Sequence, residues 1–107
     1  RLQAANDYDG IIAMADELLS KNPQSAVAEK VRIQAYLNKK DYAKVIELGE
    51  TAAAAQTDEE DKSTVYYTLG AAYNAREMRD QAIAAFGKVT AGPALEGAKA
   101  ALAGLKK

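Results

Sequence analysis

The 107-residue chain contains no cysteine and no histidine. The first absence removes disulfides and thiol chemistry, is compatible with any compartment and selects none. The second removes the commonest general base and metal ligand. Together they exclude zinc sites built from Cys and His. Proline occurs only at Pro23 and Pro93, and no Val/Ile/Thr-rich stretch alternates strictly. Helices are therefore expected and strands are not. No run of about 18 apolar residues is present, so no membrane span is expected. Neither charge dominates: 14 basic and 15 acidic residues leave −1, with no basic stripe. Nucleic acid is a poor partner for such a chain, because neutralising phosphates takes clustered Lys and Arg. There is no signal-peptide pattern and no initiator Met. A chain starting at Arg1 is expected to be a processed product or an excised piece.

The motifs of chemistry are missing as well. The seven glycines are scattered and form neither GxxxxGK[ST] nor GxGxxG. No GxSxG occurs, and no serine has a base partner. One acidic cluster, Asp58-Glu59-Glu60-Asp61, has oxygen ligands suited to a cation. Its consecutive spacing fans the side chains around a helix start, where acids stabilise the helix dipole. No catalytic residue, cofactor or metal is expected, and the chain is not expected to be an enzyme.

What is present is helix periodicity and a repeat. Alanine, the best helix former, supplies much of the apolar content. Tyr8, Ile11, Ile12, Ala15, Leu18 and Leu19 lie on one face of a helix, with Asp7 as its N-cap. Asn22-Pro23 predicts the next start, Asn as cap and Pro at the first helical position. Ala28, Val31, Arg32, Ala35 and Tyr36 carry that helix's packing side. Asn38-Lys39-Lys40 is a polar turn, and Asp41 caps a third helix with Val45, Ile46, Leu48 and Ala52 buried. Thr57 with Glu60 reads as a capping box, opening a helix with Val65, Tyr66, Leu69, Gly70, Ala72 and Tyr73. Another begins near Met78 and uses Ala82, Ile83, Phe86 and Val89. Gly92-Pro93 breaks the chain before a last helix with Leu95, Ala98, Leu102 and Leu105.

These helices repeat. Asp7-Tyr8 recurs as Asp41-Tyr42, 34 residues on, with Ile11-Ile12 falling on Val45-Ile46. Ala35-Tyr36 recurs as Ala72-Tyr73, and Val45-Ile46 as Ala82-Ile83, both 37 on. The three extra residues fall within 52–62. The Ala52–Ala55 run favours lengthening the helix by about one turn; a longer loop is the competing reading.

Tyr66, Leu69, Gly70, Tyr73, Ala82 and Phe86 resemble the tetratricopeptide (TPR) signature W-x2-L-G-x2-Y followed by A-x3-F, with Tyr66 in the Trp place. Arg32 and Ile33 depart from it where Leu and Gly are usual. A generic helical bundle and a sister helical-hairpin repeat stay open beside this resemblance. The TPR reading divides the chain into a partial repeat (1–25), a middle repeat (26–62), a last repeat (63–93) and a capping helix (94–107). The resemblance implies an all-α fold of antiparallel helix-turn-helix units, stacked as a right-handed superhelix around a concave groove. It also implies a function: a protein-protein interaction scaffold that holds a peptide or protein segment. In the middle repeat the groove positions are Val27, Lys30, Gln34, Leu37 and Asn38; in the last they are Thr64, Tyr67, Ala71, Asn74 and Ala75. Gln34, Asn38 and Asn74 can each donate and accept hydrogen bonds with an extended backbone, and Tyr67 is a common kind of anchor. A two-carboxylate clamp is not expected: Lys30 fits one, but Gln34, Thr68, Ala98 and Leu102 stand where its other polar or basic groups belong.

The helix after Asp7 has a broad apolar face and half a repeat to cover it. More repeats upstream or a second chain are expected there, the latter giving a homo-oligomer through the N-terminal face. A self-assembling structural segment, with Ile12 and Leu19 as interface residues, is thus the alternative function. An accessory domain of a larger enzyme is another.

Overall fold

A computed structural model describes residues 8–105, and every regular element among them is helical. Six helices follow in order: α1 (Tyr8–Lys21), α2 (Ala26–Asn38), α3 (Tyr42–Ala55), α4 (Glu59–Ala75), α5 (Arg79–Gly87) and α6 (Ala94–Leu105). The all-α expectation holds. The added residues lengthen neither α3 nor a loop: α3 and α1 are both 14 residues long, whereas α4 has 17 against 13 in its counterpart α2, so the extra turn stands at the start of α4.

Two of the connections are built alike. After α2, Asp41 N–H donates to Tyr36 O at 2.9 Å and Lys40 N–H to Leu37 O at 2.9 Å. After α4, Met78 N–H donates to Tyr73 O at 2.8 Å and Glu77 N–H to Asn74 O at 3.0 Å. Both are Schellman closures, and each needs a residue in the left-handed region. Lys40 (φ 70°) and Glu77 (φ 60°) occupy it. These two residues lie 37 apart, as do Asp41 and Met78, so the backbone repeats with the sequence.

Two predicted starts are corrected. Asn22-Pro23 does not open α2: the Asn22 side chain accepts from Gln24 N–H at 3.3 Å and holds a turn. Asn closes such turns on its own backbone. Ser25 is the cap instead, its Oγ accepting from Ala28 N–H at 3.2 Å. Thr57 does not cap α4 either; Asp58 stands at that position without a side-chain cap bond. Glu60 is exposed, and a side chain on Gly92 would stand 3.2 Å from its Cβ. Asp41 does cap α3, accepting from Lys44 N–H at 3.4 Å. The predicted cap Asp7 lies outside the described residues.

Each helix packs on the one before it, and α2 also meets α4 as α4 meets α6. Among the described helices, α1, α3 and α5 make no such approach to one another. Three small cores lie between these layers. The first joins Ile33, Ala52, Ala53 and Val65; the second Val45, Leu69, Ala72 and Ala85; the third Ala82, Phe86, Val89 and Ala98. Alanine at these contacts lets the backbones come close, and Tyr66 reaches into all three. Gly70 serves the same end: a Cβ there would lie 2.8 Å from the Phe86 ring.

Candidate functional site

The predicted groove residues sit on α2 and α4, two helices in direct contact. Their surroundings differ. Asn38 and Asn74 are exposed near the C-terminal ends of α2 and α4. Gln34, Ala71 and Thr64 are half-buried, and the Thr64 hydroxyl donates to Glu60 O at 3.0 Å, one turn back. Leu37 is also half-buried and packs on the central core of Val45 and Leu69. Val27 and Ala75 are exposed.

Two of them already have partners. Lys30 Nζ lies 2.8 Å from Asp61 Oδ1, a pair that crosses from α2 to α4. An incoming carboxylate would compete with Asp61 for that ammonium. Tyr67 leans on Phe86, ring centroids 5.5 Å apart and planes tilted by 55°. Its hydroxyl end lies against α6, 3.0 Å from where a Cβ on Gly97 would stand. Tyr67 thus fills the seam between α4 and α6, with part of its surface left open.

The acidic cluster disperses. Asp61 turns to Lys30, and the Glu59 carboxylate accepts from the Thr90 hydroxyl. No group of three or more acidic side chains converges among the described residues.

Polar contacts that the periodicity did not reveal hold the frame of this face. Ser63 is buried on α4, and its Oγ accepts from Thr90 N–H at 3.1 Å and Ala91 N–H at 3.2 Å. Gln56 is buried at the end of α3 and donates to Ala52 O at 3.0 Å and Ala26 O at 2.9 Å. Arg32, at the departure from the TPR pattern, bridges α1 and α2. Its Nη1 lies 2.9 Å from Asp16 Oδ1 and its Nη2 2.9 Å from the buried Glu29. Burial lowers the pKa of this guanidinium, but the bonds and charges of Asp16 and Glu29 outweigh it and raise the pKa above its ordinary value. The signal for these contacts was present only as polar residues on otherwise apolar helix faces.

Two clefts lie away from the α2–α4 face. One, of about 420 Å³, opens between Pro23, Gln24 and the end of α3, with Glu29 on its wall. The Glu29 carboxylate is already held by Arg32. The other, of about 240 Å³, runs between α1 and α2 and is lined by Ile11, Met14, Leu18, Val27 and Val31 among others. Met14, Leu18 and Val27 are the large apolar residues most exposed among those described. The apolar face expected at this end is therefore present, with Ile11, Ala15 and Leu18 of it in the cleft and Met14 beside them. Ile12 is buried and Leu19 half-buried, so neither offers a clean interface position.

No described helix is long and apolar enough to cross a membrane. Comparison with protein-family models, curated proteins and solved structures found no match for this chain.

Proposed function

We propose that this chain is a non-catalytic scaffold of the tetratricopeptide kind, holding an extended peptide or protein segment along α2, α4 and α6. The observation that carries this reading is the unequal spacing of the helices. α2, α4 and α6 approach one another in turn, whereas α1, α3 and α5 do not. Helices on the inside of a curved stack lie closer than those outside, and the inner row is the one that lines a concave surface. The repeated Schellman closures and the tight Gly70–Phe86 contact support the same unit from below. On that surface Gln34, Asn38, Ala71 and Asn74 are the accessible contacts, and the open part of Tyr67 supplies an aromatic edge. Lys30, Leu37 and Thr64 complete the lining, Lys30 also setting the spacing of α2 from α4 through Asp61.

The test is to select peptides from a random library on the immobilised chain and map the best binder by amide chemical shifts. Shifts are expected to follow Gln34, Asn38, Ala71 and Asn74. Asn38→Ala and Asn74→Ala should each weaken binding about three- to tenfold, the worth of one hydrogen bond, with unchanged melting. Shifts gathered on α1, α3 and α5 would refute the assignment.

A further inference from the structure

Among the described residues the array has an open end at each side, and the two are complementary in shape. Within the fold, α2 lies against both α3 and α4, and α4 lies against both α5 and α6. Each helix pair thus receives the helix that precedes it. The α1–α2 pair is the same unit in sequence: Met14 and Leu18 correspond to Leu48 and Ala52, 34 residues on. In the filled pair, Ala52 is fully buried and Leu48 packs on the core of Ile33. In the unfilled pair, Met14 is 56 %, Leu18 50 % and Val27 66 % exposed. The exposure comes from the lack of a covering helix among the described residues, not from the nature of these positions.

At the other end, α6 is the counterpart of α4: Gly104 lies 34 residues after Gly70. Gly70 receives Phe86 from the following helix. Gly104 meets nothing within 4 Å, and Ala100 and Ala103 beside it are exposed.

We propose that a second copy of this chain completes both ends. α6 of one copy seats in the α1–α2 groove of the next, as α2 seats on α3 and α4. Sizes match: Met14, Leu18 and Val27 are large, and Ala100, Ala103 and Gly104 are small. The same pairing of large against absent side chain recurs inside the fold at Gly70–Phe86 and Gly49–Leu69. Shape rather than charge carries the contact, since the acids of α1 are already met within the chain, Asp9 by Lys39, Asp16 by Arg32 and Glu17 by Lys21. The contact is head-to-tail, so each added copy leaves one groove and one α6 open, and the row grows with concentration unless its rotation brings it round into a ring. It continues the row α2, α4, α6 into the α2 of the next copy. It uses the ends of the array rather than its concave face, so it stands or falls independently of the peptide groove.

Sedimentation velocity on the full chain, from micromolar to millimolar, tests it. The average mass is expected to rise past that of a dimer. Val27→Glu breaks the groove, and its acid near the start of α2 suits that helix; Leu18→Glu is the second groove variant. Ala103→Glu breaks the opposite face. Each should weaken self-association about tenfold or more, since a carboxylate would be desolvated in an apolar contact. Circular dichroism and melting should stay unchanged. Val27→Glu mixed with Ala103→Glu should give a one-to-one dimer that grows no further, because each variant keeps one intact end. A monomer at every concentration, the groove then serving the chain's own first residues or an unlike protein, overturns the proposal. So does association that survives Ala103→Glu, which would mean groove-to-groove pairing.

Discussion

A Cβ on Gly70 would stand 2.8 Å from two ring carbons of Phe86, itself only 3 % exposed. Neither helix can yield without opening the third core. Gly70→Ala should cost about 1–2 kcal/mol, the overlap outweighing alanine's better helix propensity. Gly87 has no atom within 4 Å of its imagined Cβ, so Gly87→Ala should gain up to about 1 kcal/mol. Urea unfolding of the two variants checks the opposite signs. Gly70 was legible beforehand because it sits in a spaced motif. Gly49 was not: its neighbour is Leu69, whose Cδ1 would lie 2.5 Å from a Cβ there, and nothing near Gly49 in the chain announces that contact. Arg32 was hidden in the same way, since its two acids come from different helices. Arg32→Leu leaves Glu29 buried and unpaired, and should cost about 3 kcal/mol. Adding Glu29→Leu should recover most of that loss, because an apolar pair replaces an ionic one at little net change. A double-mutant cycle measures the recovery.

At the scale of the element, the six helices and their order followed from periodicity and from the polar turns. Their starts were harder. Asn22-Pro23 carries the signature of a helix start, but Asn22 spends its side chain on its own turn and Ser25 takes the cap. Thr57 and Glu60 have the spacing of a capping box, but α4 starts with Asp58 at the cap position and no side-chain cap bond. At Asn22 a contact of slightly shorter range wins, and local spacing does not rank such competitors. The connection between α5 and α6 depends on Ser63, whose hydroxyl answers two successive N–H groups. Ser63→Ala leaves Thr90 and Ala91 without that acceptor and should cost about 1–2 kcal/mol. Hydrogen exchange should show the loss as faster exchange at Thr90 and Ala91, while Val45 and Ile46 in α3 stay protected.

At the scale of the molecule, a sequence period became a spatial one: equivalent turns adopt equivalent conformations at Lys40 and Glu77. The candidate site was legible as a set of positions on α2 and α4, but the partners of those positions were not. Position within a repeat says which way a residue leans. It does not say that Asp61 will reach Lys30, or that α6 will lie across Tyr67. Such partners belong to the next unit along, and two units can agree in pattern while differing in the residues that meet.

Among the described residues, every contact between helices joins neighbours or next-but-one neighbours in the chain. Each helix, as it forms, finds its earlier partners already made, and no distant segment has to be searched for. Such a chain has a low contact order and belongs among the fast folders, in microseconds to milliseconds. It can assemble in the order in which a ribosome releases it, one hairpin serving as the template for the next.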